Sequence, residues 1–217
     1  RLNVPTGPQL AFSLPASGLP GTTSRFALYG VNLPGSQPTG MLVDGVPLER
    51  LETEITIPAL DELPAMDDRV DSVHSSVDGF SYRFESPEGT SNPLRMFLAT
   101  AAPVTEVEPN DPVDAAQAVT VPCEVTGQFG QRADQDVFTF EAKAGEVYWI
   151  EAFGQRLGTS ADPYVVVEQV TVDGKGNEQV KRLTAQDDTG TNLLQNVFDT
   201  YTDDPAWRLQ IPADGKY

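Results

Sequence analysis

The sequence is poor in the residues on which most catalytic and redox chemistry depends. It has one cysteine, Cys123, and one histidine, His74. A single cysteine excludes an intrachain disulfide, and zinc enzymes usually need several histidine or cysteine ligands. His74 lies beside Ser75 and Ser76, but a Ser-His-Asp triad needs a base that is held rigidly by its scaffold. We therefore do not expect an enzyme.

Basic residues are also scarce, with 14 Lys and Arg against 32 Asp and Glu, a formal net charge of −18. Such a chain has no basic patch to neutralise phosphates, which excludes nucleic acid and anionic membrane as partners. Residues 1–100 carry a net charge of −6 and residues 101–217 a net charge of −12. An acidic coat or divalent-cation sites could explain this excess. We favour the coat for the first half and cation sites for the second.

Long apolar runs and long amphipathic helices are missing, so no membrane insertion is expected. Short alternations of apolar and polar residues, such as Arg25–Tyr29, recur about every dozen residues, among 18 Gly and 18 Pro. Asp44-Gly45 and Asp173-Gly174 are typical of hairpin turns. The only helix candidates are 112–118 and 191–196. This pattern predicts an all-β chain of the β-sandwich class.

The length of 217 residues allows two modules in tandem. We place the first at 1–100, with an acidic insertion at 59–79. A proline-containing acidic connector follows at 101–112, and the second module covers 113–217. The chain begins at Arg1 and ends within a predicted strand, so we expect it to be a piece of a longer protein.

Short motifs follow one another in a fixed order through the second half. They are Glu106-Val107-Glu108-Pro109-Asn110-Asp111, Ala115-Ala116, Val125-Thr126-Gly127, Asp134-Gln135-Asp136-Val137-Phe138-Thr139-Phe140, Ala144-Gly145-Glu146, Asp162-Pro163, Gln186-Asp187-Asp188 and Ile211-Pro212-Ala213-Asp214-Gly215-Lys216-Tyr217. With these motifs, residues 105–217 resemble the bacterial pre-peptidase C-terminal (PPC) domain. That domain is a β-sandwich, either a plain sandwich or a jelly roll, and its family includes the collagen-binding modules of bacterial collagenases. Its last strand continues beyond the tyrosine, so the resemblance implies that this chain lacks the final strand.

The first half carries a second, looser set of motifs. They are Gly21-Thr22-Thr23, Tyr29-Gly30-Val31-Asn32-Leu33, Val43-Asp44-Gly45-Val46-Pro47, Ile55-Thr56-Ile57-Pro58 and Pro87-Glu88-Gly89-Thr90-Ser91-Asn92. On these motifs, residues 8–100 resemble an IPT/TIG module, an immunoglobulin-like sandwich. The acidic stretch 59–79 departs from that pattern as an insertion.

Oxygen-bearing side chains cluster at the start of the second half. In an extended segment Glu106, Glu108 and Asn110 point to one side, and Asp111 faces away unless the chain bends. Calcium takes six to eight oxygen ligands, so a second segment must complete the site. The resemblance implies that calcium binds to Glu106, Glu108, Asn110, Asp111, Asp134 and Asp136. The alternative is an acidic linker in which Asp111 caps a helix at 112–118.

A second metal site is possible where sandwich loops meet at one end. Its candidate ligands are Asp162, Asp187, Asp188, Asp199, Asp203 and Asp204. Turn-forming aspartates are the alternative. Exposed aromatics could also form a ligand face, although core packing is the expected role of most of them. Because Tyr148 and Trp149 are adjacent, one of them should face the core and the other should face outward.

We therefore expect a non-catalytic accessory module pair, stabilised by calcium, from an exported bacterial protein that is secreted, periplasmic or on the cell surface. It would present a surface to an extracellular polymer or protein, or to adjacent domains of the same chain. A purely structural spacer is one alternative. A fragment of a secreted peptidase or other enzyme, with its catalytic domain elsewhere, is another.

Overall fold

The structure is a computed structural model that describes residues 6–43, 45–63, 77–131, 133–176, 178–188 and 201–217. Strands make up 49% of it and helical turns 3%, so the all-β prediction is confirmed. In the described ranges no helix is long and apolar enough to cross a membrane. The chain divides into two compact units. Their described residues are 6–43, 45–63, 77–106 and 122–128 in the first unit, and 107–121, 129–131, 133–176, 178–188 and 201–217 in the second.

The first unit contains two sheets that share one core. Its first ten strands are β1 (Gln9–Leu14), β2 (Ser17–Gly18), β3 (Thr23–Val31), β4 (Gln37–Val43), β5 (Val46–Thr56), β6 (Gly79–Tyr82), β7 (Glu85–Ser86), β8 (Gly89–Thr90), β9 (Leu94–Leu98) and β10 (Pro103–Thr105). A four-stranded sheet has the order β1-β3-β5-β4, and a three-stranded sheet the order β2-β9-β6. Phe26, Leu28 and Ile55 of the first sheet are buried together with Phe80 and Met96 of the second. The alternating apolar residues thus form the interior of a β-sandwich.

β4 and β5 form a hairpin at the predicted position, with Val43 paired to Val46. Gly45 has a φ of 78°, a conformation that costs glycine little and other residues more. Gly30 permits another close approach. A side chain at Gly30 would collide with the carbonyl group of Gln9, so only glycine lets β1 pair with β3 at this point.

The structure describes little of the predicted acidic insertion at 59–79 but all of the predicted connector at 101–112. Most of the predicted insertion, residues 64–76, lies outside the described residues. The predicted connector 101–112 contains β10, which pairs in parallel with β12 (Glu124–Thr126). The carboxylate of Glu124 accepts hydrogen bonds from the Thr100 amide at 2.6 Å and the Ser17 hydroxyl at 3.1 Å. The first part of the connector is therefore held in the first unit by a strand pair.

The second unit is built from paired strands around a smaller core. The remaining strands are β11 (Gln117–Ala118), β13 (Phe138–Thr139), β14 (Glu141–Ala142), β15 (Val147–Glu151), β16 (Val165–Val172), β17 (Glu178–Gln186), β18 (Ala206–Gln210) and β19 (Gly215–Lys216). β11 pairs with β13, β14 with β19, β15 with β18, and β16 with β17. Val167, Leu209, Ile211 and Tyr217 are buried together. β16 and β17 form the hairpin expected at Asp173-Gly174, with Val172 paired to Glu178.

The helix predicted at 112–118 is wrong. The structure has a three-residue 3₁₀ turn at Val113–Ala115, and strand β11 begins one residue later, at Gln117. The segment is too short to offset the cost of helix nucleation, and Gln117 donates its amide proton to the Val137 carbonyl instead. The other helix candidate, 191–196, lies outside the described residues.

Candidate metal centre

Three of the predicted calcium ligands come together within the second unit. One carboxylate oxygen each from Glu108, Asp111 and Asp134 lies within 4.8 Å of the others. An oxygen of Asp136 also lies within 4.8 Å of an oxygen of Glu108. The chain therefore bends between Glu108 and Asp111, a segment that begins with the cis peptide bond between Glu108 and Pro109. The bend brings Asp111 beside Glu108, which a fully extended segment would not do.

Backbone donors hold these carboxylates in place. The Asn110 amide donates to Glu108 Oε2 at 3.0 Å, and the Gly130 amide donates to Asp134 Oδ2 at 2.5 Å. The Val137 amide donates to the Asn110 carbonyl at 3.2 Å, which ties the acidic segment to the start of β13. Asn110 itself is fully buried. The Asn110 side chain is therefore shielded from bulk solvent.

Glu106 belongs to the first unit. Its backbone amide donates to the Thr126 carbonyl at 2.9 Å, and its Oε2 accepts the Gln128 amide at 2.8 Å. A side chain on Gly127 would collide with the Glu106 carboxylate. The Val125-Thr126-Gly127 motif thus has a local explanation, because a glycine is needed where Glu106 packs.

The donor set fits a hard divalent cation. Calcium binds oxygen at 2.3–2.6 Å, so two of its ligand oxygens lie no more than about 5 Å apart. The 4.8 Å spread of the three carboxylates meets that limit. In the described part of the chain no Lys or Arg forms an ion pair with any of the three. A bound cation would therefore relieve their mutual repulsion.

The structure does not support the alternative role of Asp111 as a helix cap. The residue that caps the 3₁₀ turn is Pro112, and no side chain donates or accepts a capping hydrogen bond there. Asp111 is half-buried and is directed to Glu108 and Asp134. The carboxylate of Asp111 is thus available to a cation.

A second carboxylate cluster is formed by Asp162, Asp187 and Asp188, whose oxygens also lie within 4.8 Å of one another. The Tyr201 hydroxyl donates to Asp188, which raises the pKa of Tyr201 to about 12. Desolvation, together with the negative charges of Asp188, Asp162 and Asp204, raises the pKa of Asp203. Of the predicted ligands, Asp199 lies outside the described residues. This cluster is a weaker candidate for a metal site because one carboxylate oxygen of Asp188 already accepts the hydrogen bond from Tyr201.

Asp204, which the sequence placed in this second site, has a different role. It is fully buried and accepts hydrogen bonds from the amides of Gly154 (2.7 Å), Gln155 (2.8 Å) and Arg156 (3.0 Å) and from Arg156 Nε (2.8 Å). Arg156 also donates to Glu151 Oε1 at 2.5 Å. A carboxylate that is neutralised by a guanidinium and bonded by four donors has little affinity left for a cation. The sequence could not reveal this pair, because 48 residues separate its members.

The exposed aromatics lie mainly in the second unit. Tyr148 packs edge-on against Phe140, with ring centroids 6.0 Å apart, whereas Trp149 is 66% exposed. The expected division between core and surface is therefore confirmed for this adjacent pair. His74, the single histidine, lies outside the described residues.

This chain matches no protein-family model, no curated protein and no solved structure.

Proposed function

We propose that the chain is a non-catalytic accessory part of an exported bacterial protein, in which calcium stabilises a β-sandwich unit of the PPC type. The convergence of Glu108, Asp111 and Asp134 in the second unit is the observation that carries this function. The first unit, a sandwich with an IPT/TIG-like order of motifs, would be its partner module. Together the modules would present surfaces to an extracellular polymer or to neighbouring domains.

Calcium would act here through its preference for the folded state. Asp111 and Asp134 are separated along the chain, and only the folded unit brings their oxygens together with those of Glu108. A ligand that binds only the folded form stabilises that form by mass action. Extracellular calcium modules bind with dissociation constants of about 10⁻⁴ to 10⁻³ M. At about 10 mM calcium the expected stabilisation is therefore about 1.4–2.7 kcal/mol.

Thermal unfolding of the chelator-treated protein, with and without 10 mM calcium chloride, tests this function. A stabilisation of that size should raise the midpoint by several degrees, since ~1 kcal/mol shifts a domain of this size by about 4–8 °C. Glu108→Gln and Asp134→Asn should each lose most of the rise. The matched control is Asp114→Asn, because Asp114 is a nearby exposed acid outside the cluster.

The outcome separates the main alternatives. If calcium raises the midpoint of the wild type and of Asp114→Asn but not that of the two ligand variants, the cluster is the site. If calcium has no effect on the wild type, the carboxylates form a solvated acidic coat. A structural spacer would then be the better explanation of the chain.

A further inference from the structure

Aromatic rings are exposed on one face of the β15–β18 pair, and neighbouring side chains restrict their motion. In β15, Tyr148 and Ile150 pack against the core of the second unit. Trp149 therefore faces outward, and it is 66% exposed. Phe153, four residues further along, is 42% exposed. Because successive side chains alternate across a strand, Trp149 and Glu151 lie on the same outer face.

A single network of charged groups fixes both rings. Glu151 accepts the Trp149 indole proton through Oε2 at 3.2 Å and the Arg156 guanidinium through Oε1 at 2.5 Å. The Arg156 guanidinium carbon lies 4.2 Å from the centre of the Phe153 ring. Arg156 is itself anchored by the buried carboxylate of Asp204 at 2.8 Å. These contacts restrict the rotation of the exposed rings, so a ligand would meet a surface that is already ordered.

Polar groups accompany the rings on this face, and the local charges balance. Arg208 is paired with Trp149, and Gln210 with Val147, on the neighbouring strand, and both polar side chains are exposed. Glu151 and Asp204 share Arg156, and Arg208 supplies the second positive charge that balances the two carboxylates. An anionic polymer would be repelled by the net charge of −18. A cationic polymer would bind to the acidic residues elsewhere on the chain and not to this face. The face is therefore suited to an uncharged ligand with many hydroxyl groups.

We infer that the face formed by Trp149, Phe153, Arg208 and Gln210 binds a neutral oligosaccharide. The C–H face of a sugar ring is apolar and stacks on an aromatic ring, whereas its hydroxyls exchange hydrogen bonds with planar polar side chains. Two separate rings can stack on different sugar units, so the ligand is a chain and not a monosaccharide. Two strands of five residues provide much less surface than the 20–30 residues that each partner of a stable protein complex contributes. This inference rests on the proposed function, and it identifies the extracellular polymer of that function as a neutral polysaccharide.

Native electrophoresis of the protein in gels that contain soluble hydroxyethylcellulose, xylan, galactomannan or dextran tests the inference. At least one of these neutral polysaccharides should retard the wild type. Trp149→Ala and Phe153→Ala should each weaken the apparent affinity about tenfold or more, as expected for a central aromatic contact. Tyr164→Ala is the control, since Tyr164 is an exposed aromatic residue outside the network, and it should leave the retardation unchanged.

Three results would overturn the assignment. They are the absence of retardation in all four polysaccharides, equal retardation of wild type and Trp149→Ala, and Trp149-dependent retardation only in gels that contain gelatin. The last result would assign the face to a polypeptide. The calcium-dependent rise in melting temperature, measured on Trp149→Ala, should equal that of the wild type. Failure of glycan binding can thus be distinguished from failure of the calcium function.

Discussion

Replacement of Asp204 by asparagine should destabilise the second unit strongly. The wild-type carboxylate is fully buried and accepts three backbone amides and the Arg156 Nε proton. Asparagine keeps one acceptor oxygen, but its amide NH2 group would face hydrogen-bond donors. With the Asp204 charge lost, Arg156 keeps only the less buried Glu151 as its counter-ion. The Arg156 side chain is only 12% exposed, so water cannot replace that partner. Breaking a buried ion pair from one side costs about 3–5 kcal/mol.

The expected effect on melting follows from the size of the unit. For a domain of about a hundred residues, ~1 kcal/mol lowers the midpoint by about 4–8 °C, so Asp204→Asn should lower it by about 12 °C or more. Tryptophan fluorescence reports on this unit alone, because both tryptophans, Trp149 and Trp207, belong to it. Trp207 packs against the core, so its emission should shift to longer wavelength when the unit unfolds.

The neighbouring residue supplies a matched control. Asp203 is half-buried, and desolvation and the like charges around it raise its pKa. Asp203→Asn removes the same charge but relieves repulsion, so its midpoint should stay close to that of the wild type. If Asp204→Asn melts within about 4 °C of the wild type, a shift equivalent to ~1 kcal/mol, then the Arg156 pair does not hold this unit together.

Three further predictions concern other parts of the molecule. Tyr201 should ionise near its raised pKa of about 12 in an absorbance titration at 295 nm, and Asp188→Asn should return the pKa of Tyr201 towards its ordinary value. Because the folded pKa of Tyr201 lies above the unfolded value of about 10, this hydrogen bond stabilises the fold fully below about pH 10, and its contribution is lost as the pH rises towards 12. Leu28→Ala should cost the first unit about 2–5 kcal/mol in a denaturant titration, since Leu28 is fully buried. Desolvation and the charge of Glu124 raise the pKa of the Cys123 thiol, so at pH 8 Cys123 should react with a disulfide reagent more slowly than a free cysteine does.

The fold class could be predicted from the sequence because its signals are local. Alternating apolar residues and Asp-Gly turns depend on neighbours in the chain, and they identified the β4–β5 and β16–β17 hairpins. The error at 112–118 has the same origin. A helix there would have been local, but Gln117 and Ala118 pair with Phe138 and Thr139, partners about twenty residues away that no local pattern reveals.

The candidate site could be predicted in part. The residue types and their order indicated carboxylates at Glu108, Asp111 and Asp134, and these converge in the structure. The role of Asp204 needed information that the sequence does not contain, because its partner Arg156 is distant in the chain. Spacing along the chain cannot tell which carboxylates will meet a donor and which will meet one another.

The donors that reach a carboxylate therefore decide its role in this acidic chain. Asp204 has a guanidinium at 2.8 Å and needs no cation, so its contribution is to stability. Asp188 shares the proton of Tyr201, which leaves that cluster only partly available to a metal ion. Glu108 and Asp134 accept backbone amides, which orient their oxygens but supply no full positive charge. Among the described residues, only the Glu108 cluster therefore has neither a cationic partner nor a shared tyrosine proton, and we expect calcium to bind there first.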